Sequence, residues 1–182
     1  MKKVLVALAQ GFEEIETITV VDILRRSGAR VTLAGLSEGP VEGSRGVHVM
    51  PDCLLSAVDP VEFEMIVLPG GMPGTSNLQK DPGLLDILRQ MHSGDKFIAA
   101  ICAAPLVLQT AGILKGDHIT SHPSVREKLN GVNYEEERVV VDGKIITSRS
   151  PGTAMEFAMK LVECLFGIDR VHIVNEGVLA KL

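Results

Sequence analysis

Short apolar runs recur along this chain and alternate with segments whose apolar residues have helical spacing. The runs that predict buried strands are residues 3–9, 30–35, 64–71 and 97–101. A weaker alternation at 41–50 indicates a short antiparallel excursion. Strands that alternate with helices form a mostly parallel sheet covered on both faces. The predicted fold class is therefore α/β, a three-layer α/β/α sandwich.

The segments between the strands predict the helices, at about residues 13–27, 83–92, 103–111 and 153–167. Thr153 and Glu156 have the spacing of a capping box at the head of the last helix. Residues 138–148 predict a hairpin in which Asp142 and Gly143 supply the positive φ angles of a two-residue turn.

Length and composition narrow the domain count and the classes of partner. With 182 residues and no linker or repeat, the chain is most simply one domain, residues 1–182. A net charge of −5 and 3% aromatic residues argue against nucleic acid, which binds basic faces and stacking rings. The apolar run 4–9 is shorter than the roughly 7–15 residues of a signal-peptide core. No stretch approaches the roughly 20 apolar residues of a membrane span, so we expect neither nucleic acid nor a membrane as partner.

Cysteine usage indicates thiols that stay reduced. Cys53, Cys102 and Cys164 are odd in number, widely spaced and without a CxxC pair. This pattern is typical of neither a disulfide framework nor a zinc site, so we expect no metal and a cytoplasmic protein. Cys164 lies on an apolar helical stripe and is predicted to be a core residue, and Cys53 has no activating neighbour in the sequence.

Cys102 is the cysteine whose surroundings allow a chemical role. It ends an apolar run and is followed by Ala103, Ala104 and Pro105. Small neighbours allow a sharp strand-to-helix turn that lifts a side chain into the open, and the adjacent helix N-terminus favours a thiolate. Cys102 is therefore either a small core residue or a nucleophile. For a nucleophile we expect a pKa below about 7.5, against roughly 8.5 for a free thiol, and oxidation before the other cysteines.

Ligands of such sheets bind beyond the carboxyl ends of the strands, where two further side chains and one turn are candidates. Glu16 heads an apolar helical stripe. It is either a solvent-exposed acid that favours the helix dipole or a buried carboxyl that stays protonated. His122 follows an apolar strand and precedes Pro123, which predicts extended geometry at the same edge. Residues 69–74 form either a tight turn or a set of free N–H groups that face an oxyanion.

Five segments, taken together and in order, resemble the DJ/ThiJ/PfpI superfamily, and within it the branch of the parkinsonism-associated protein deglycase and its bacterial relatives. The segments are GFEEIET (11–17), VLPGG (67–71), AAICAAP (99–105), TSHP (120–123) and SRSPGT (148–153). The resemblance covers nearly the whole chain, from Val4 to beyond Phe166. It implies a flavodoxin-like, class I glutamine-amidotransferase-like fold with a nucleophile elbow.

The resemblance implies a role for each of the three candidate side chains. This chain departs from the family pattern at two positions. Cys102 would be the nucleophile, Glu16 the protonated carboxyl beside it and His122 the nearby histidine. The peptidase branch has histidine directly after the nucleophile, where this chain has Ala103, so peptidase activity is not expected. The family's secondary cysteine is Gly43 here, so no redox role transfers to that position.

The resemblance also implies the groups that bind the substrate and the partner chain. The backbone N–H groups of Gly71 and Ala103, with Gly70 beside them, would form the oxyanion and substrate site. Arg26 and Arg45 match arginines that lie near the pocket and the dimer contact in this family.

The implied activity needs no cofactor. It is that of a glyoxalase or protein deglycase acting on glyoxal, methylglyoxal and their early glycation adducts through Cys102. Glu16 or His122 would move the proton that leads to glycolate or lactate. The alternatives are a redox-sensing, chaperone-like stress protein switched by oxidation of Cys102, and a scaffold domain with a relict pocket. Because Ile15 and Ile18 leave a second apolar face on helix 1, we also expect a homodimer with this helix at the contact.

Overall fold

A seven-stranded sheet forms the centre of the molecule in the computed structural model, which describes residues 1–181. Across the sheet the strands are β10 (Val139–Asp142), β11 (Ile145–Ser148), β7 (Phe97–Ile101), β6 (Met65–Leu68), β1 (Lys3–Leu8), β2 (Arg30–Gly35) and β5 (Cys53–Leu54). Neighbouring strands run parallel except β10 and β11, which form an antiparallel hairpin at one edge. The predicted mostly parallel sheet is confirmed.

Two small sheets lie outside the central one. The strands β3 (Val41–Glu42) and β4 (His48–Val49) pair antiparallel, as the weak alternation at 41–50 predicted. The strands β8 (His118–Ile119) and β9 (Asn133–Tyr134) pair in parallel next to the segment that carries His122.

Helices cover both faces of the sheet and complete the predicted three layers. They are α1 (Glu14–Arg26), α2 (Gly74–Lys80), α3 (Pro82–Ser93), α4 (Pro105–Ala111), α5 (Ala154–Phe166) and α6 (Ile168–Val178). Because side chains alternate along a strand, Val4 and Val6 of β1 enter the core under α1, α5 and α6. Leu5 and Ala7 enter the second core, under α2, α3 and α4.

Two predicted details of the last third of the chain are wrong. Thr153 and Glu156 form no capping box, because the Thr153 hydroxyl bonds to the backbone of the preceding loop and Glu156 pairs with Arg138. Asp142 belongs to the strand ladder opposite Ile145, so the turn consists of residues 143–144 and only its glycine has a positive φ, +55°. Helices α2 and α6 and strands β5 and β9 were not predicted.

The topology brings four chain segments to one edge of the sheet. These segments follow β1, β6, β7 and β11. The four strands are adjacent in the sheet and parallel to one another, so their carboxyl ends meet at this edge. The segments that follow them begin at residues 9, 69, 102 and 149. Within residues 1–181, no helix combines the length and apolar character that crossing a bilayer requires.

Candidate active site

Cys102 occupies a sharp turn between β7 and α4. Its φ is +65°, a left-handed conformation that costs a non-glycine residue about 1–3 kcal/mol and persists only where the surrounding structure fixes it. Two hydrogen bonds do so. The Cys102 N–H donates to the Ser148 carbonyl oxygen at 2.9 Å, and the Cys102 carbonyl oxygen accepts the His122 N–H at 2.8 Å. This is the backbone geometry expected of a nucleophile elbow.

Two glycines after β6 allow the neighbouring turn to approach this elbow. A Cβ atom at Gly70 would lie 2.7 Å from the Cys102 Cβ and 2.8 Å from Glu16 Oε2, closer than real atoms come. Gly71 has a φ of +90°, and a Cβ atom there would lie 2.5 Å from the Glu13 nitrogen. Only glycine fits at either position, and the Gly71 N–H is thereby brought to the Cys102 sulfur.

Glu16 is buried beside the Cys102 thiol, with 1% of its surface exposed, so the solvent-exposed interpretation is wrong. Its Oε2 accepts the Gly70 N–H at 2.8 Å, whereas its Oε1 is buried and has no hydrogen-bond partner among residues 1–181. Burial, aided by the charge of Glu13, raises the pKa of Glu16 to about 7, although the Gly70 N–H and the adjacent Cys102 thiol act in the lowering direction.

The electrostatics of Cys102 are opposite to those expected from the sequence. Burial, followed by the adjacent Glu16 charge, raises the pKa of the Cys102 thiol to about 12, although the N–H groups of Ala103 and Gly71 act in the lowering direction. The helix N-terminus was visible in the sequence, but burial against a carboxyl group was not. Two negative charges are unfavourable so close together in a buried site, so the Glu16–Cys102 pair carries one negative charge above pH 7.

An open cavity of about 410 Å³ lies beside the Cys102 side chain. It is lined by Glu13, Ser44, Arg45, Gly71, Met72, Cys102, Ala103, His122, Ser124, Val125 and Pro151. His122 Nδ1 accepts the Ser124 N–H at 3.2 Å and lies 2.8 Å from the Ser124 hydroxyl oxygen. The structure thus brings the predicted residues Cys102, His122 and Arg45 to one cavity, with Glu16 buried behind it.

Arg26 is the predicted residue that the structure does not bring to this cavity. It forms an exposed ion pair with Asp22 on α1, with 2.7 Å between Nε and Oδ2. It lines a separate groove that also contains Ile18 and Thr19.

Several lining residues were missed in the sequence, although the signal was present. Glu13 was not among the candidates, yet its Oε2 accepts the Glu16 N–H at 2.9 Å and it also faces the cavity. Ser124 and Pro151 belong to loops already assigned to this sheet edge. Ser44 lies in the excursion after β3, whose return to the site depends on tertiary contacts.

The other two cysteines lie away from this cavity and are free thiols. Burial raises the pKa of both, helped by Asp52 at Cys53 and by Glu163 at Cys164. Within the described part of the chain, no group of three or more His, Cys, Asp or Glu side chains is arranged to hold a metal ion.

Known proteins resemble this chain both in sequence and in structure. Residues 2–164 match the model of the DJ-1/PfpI family. Protein dj-1beta of Drosophila melanogaster is 46% identical over 181 residues, which are 98% of this chain and 97% of that protein. The glutathione-independent glyoxalase DJR-1.2 of Caenorhabditis elegans is 40% identical over 88% of this chain and 86% of its own length. The crystal structure of Drosophila DJ-1beta superposes with a TM-score of 0.96 at 44% identity, covering 100% of this chain and 99% of that one. The chain belongs to the DJ-1/PfpI family.

Proposed function

We propose that the protein is a cofactor-independent glyoxalase and deglycase that acts on methylglyoxal, glyoxal and their early glycation adducts. The observation that carries the proposal is the Cys102 elbow, fixed at φ +65° with the buried Glu16 carboxyl next to the thiol. The relative named as a glutathione-independent glyoxalase, 40% identical, supports the same class of reaction.

The first step uses the shared proton of the pair. As the Cys102 sulfur attacks the aldehyde carbon, its proton passes to the Glu16 carboxylate, whose Oε1 has no other hydrogen-bond partner among the described residues. A C–S bond forms, and the carbonyl oxygen becomes an oxyanion that accepts hydrogen bonds from the N–H groups of Gly71 and Ala103. This oxyanion then takes the proton from Glu16, which gives a hemithioacetal and restores the Glu16 carboxylate.

The second step moves hydrogen from one carbon to the next. A base removes the C1 proton, and protonation at C2 then gives the thioester of a 2-hydroxy acid. C1 is oxidised and C2 reduced, so no external oxidant or reductant is required. Glu16 or His122 carries this proton, and water then cleaves the thioester to release lactate or glycolate and restore the Cys102 thiol. In an early adduct on an amino or thiol group, the Cys102 sulfur would replace that group at C1. The C–N or C–S bond of the adduct breaks as the C–S bond to Cys102 forms, and the amine or thiol leaves with the proton of the Cys102 thiol.

Turnover by the purified protein tests the proposal. Methylglyoxal is supplied without glutathione, and lactate is measured by proton NMR. We expect lactate from the wild type and from Cys53→Ala, and none from Cys102→Ala prepared identically. Equal lactate from Cys102→Ala would overturn the assignment.

A second candidate is redox sensing through the same thiol. Cys102 alone of the three cysteines lines the cavity, where peroxide has access. Peptide mass spectrometry after roughly one equivalent of peroxide, with client-protein aggregation followed in parallel, tests it. Suppression of aggregation only after Cys102 oxidation would favour this role.

We further propose that the protein works in the cytoplasm as a homodimer. Its free thiols fit a reducing compartment. The apolar side chains Ile15 and Ile18, 55% and 45% exposed, leave a face of α1 for a second copy.

A further inference from the structure

The Glu14 carboxylate joins the start of α1 to the loop 43–47. Its side chain is nearly buried, at 8% exposure. Oε1 accepts the Arg45 N–H at 2.6 Å and lies 3.4 Å from the Val47 nitrogen, while Oε2 accepts the Ser44 hydroxyl at 3.1 Å. Hydrogen bonds to a charged acceptor are roughly twice as strong as neutral ones. The loop also has backbone hydrogen bonds, from the Ser44 N–H to the Phe12 carbonyl oxygen at 2.7 Å and from the Gly43 N–H to the Val47 carbonyl oxygen at 2.8 Å, and the Glu14 carboxylate adds three side-chain contacts to them.

The loop has a shape that receives this carboxylate. A Cβ atom at Gly43 would lie 2.4 Å from Glu14 Oε1 and 2.9 Å from its Cγ, so any other residue would displace the Glu14 side chain. Burial acts to raise the pKa of Glu14, but the N–H groups of Arg45, Glu14 and Val47 and the Ser44 hydroxyl together hold that pKa below its usual value. The acceptor is therefore ionised at neutral pH.

The same loop supplies Ser44 and Arg45 to the cavity wall beside Cys102. Within residues 1–181, no ion pair involves the Arg45 guanidinium. The point from which this side chain reaches the cavity is set by its backbone, and the Arg45 N–H makes the shortest of the hydrogen bonds from this loop to the Glu14 carboxylate.

We propose that Glu14 is a positioning residue that acts through Arg45. By fixing the loop, it places Arg45 at the cavity wall, where the positive charge of this residue attracts negatively charged groups of molecules that approach Cys102. As a statement about dicarbonyl turnover this rests on the proposed function, whereas the reactivity of the thiol and the order of the loop do not depend on it.

Alkylation of Cys102 by a charged and a neutral reagent tests the proposal without turnover. The ratio of the rate with iodoacetate to the rate with iodoacetamide is measured by peptide mass spectrometry. We expect Arg45→Ala to lower this ratio roughly fivefold, the effect of one unit charge at about 4 Å in water. Glu14→Ala and Gly43→Ala should lower it similarly, because each releases the loop.

Three further variants make this test specific. In the double variant Glu14→Ala/Arg45→Ala the rate ratio should be no lower than in Arg45→Ala, because both changes remove the same effect of the Arg45 charge. Glu14→Gln, which keeps an oxygen acceptor for the Arg45 N–H, should recover most of the ratio. Asp22→Ala, an exposed acid on the same helix, is the matched control and should leave it unchanged. An unchanged ratio in Glu14→Ala or Arg45→Ala, or additive losses in the double variant, overturns the proposal.

Hydrogen exchange and kinetics complete the experiment. Amides of residues 43–48 should exchange faster in Glu14→Ala than in the wild type, while strands of the central sheet keep their protection, which shows that the variant is folded. With a carboxylate-bearing 2-oxoaldehyde as substrate, the KM of Glu14→Ala should be higher than that of the wild type, and its kcat should stay near the wild-type value. If the wild-type protein shows no turnover, only the proposed function is refuted. If the amides of residues 43–48 exchange at the same rate in Glu14→Ala and in the wild type, the role of Glu14 is refuted.

Discussion

The Gly70 N–H donates to Glu16 Oε2 at 2.8 Å, and this bond ties the carboxyl group of helix α1 to the turn that flanks Cys102. One oxygen of Glu16 is thereby fixed and the other left without a partner among residues 1–181. The geometry fits a carboxyl group that exchanges a proton with the neighbouring thiol, and it leads to the first prediction.

Replacing Glu16 by Gln should lower kcat/KM for methylglyoxal by about 10²- to 10⁴-fold, the usual contribution of a positioned proton-transfer group. Glutamine keeps an acceptor for the Gly70 N–H but cannot take the Cys102 proton. Steady-state lactate production is the measurement, with Asp22→Asn on the same helix as the control. Near-wild-type turnover in Glu16→Gln would remove the carboxyl group from the mechanism.

The activity should rise with pH through about 7, where the Glu16–Cys102 pair loses its first proton. Below that value both groups are protonated and the attacking sulfur has no base. The pH profile of kcat/KM in the wild type checks this. A profile that stays flat over about three pH units, from about 5.5 to about 8.5, would contradict the shared-proton mechanism.

Stability should show the opposite pH dependence at the same residue. Because the pKa of Glu16 is raised from 4.5 to about 7 on folding, the native state binds more protons than the unfolded state between these values. The contribution of Glu16 to the free energy of unfolding is thus fully present below pH 4.5 and is lost as the pH rises through about 7. At about 1.4 kcal/mol per pKa unit, the wild type should lose about 2.5 kcal/mol between pH 5 and pH 8 relative to Glu16→Gln. Urea unfolding of both proteins at pH 5 and pH 8 measures the difference, and an equal change in the two proteins would refute it.

Gly70→Ala should reduce turnover at least about 10²-fold, because a misplacement near 1 Å at a reacting group has effects of this size. The new Cβ atom would start 2.7 Å from the Cys102 Cβ. Gly177→Ala in α6 is the matched control, since its Cβ atom would meet nothing within 4 Å. Circular dichroism verifies folding, and full activity of a folded Gly70→Ala protein would show that the elbow tolerates displacement.

The protein should have the mass of a dimer in light scattering at micromolar concentration. Charges placed in the apolar face of α1, as Ile15→Asp with Ile18→Asp, should shift it to the monomer mass. Ile173→Asp, at a site 56% exposed on α6, should leave the dimer intact. A monomeric wild type would contradict the proposed assembly.

Local sequence patterns were sufficient for six of the seven strands of the central sheet and for four of the six helices, because hydrophobic periodicity is a local property. At Cys102 the small neighbouring residues allowed an elbow but left the core interpretation open. The burial of Glu16 was left open, since it depends on Gly70, 54 positions away. The helix terminus at Cys102 could be seen in the sequence, whereas the raised pKa of its thiol arises from burial and from a residue on another element. Likewise, the contact of Glu14 with residues 44–47 joins segments whose closeness no periodicity indicates.

The two backbone hydrogen bonds of Cys102 also bear on when during synthesis the site can exist. Its partners, His122 and Ser148, lie 20 and 46 positions further along the chain. A nascent chain that has left the ribosome only as far as α4 therefore contains the cysteine but neither bond that fixes its left-handed backbone. Because domains generally fold as units once their strands are available, the reactive thiol is assembled after the last strand of the sheet has emerged. Until then the growing polypeptide contains an ordinary cysteine.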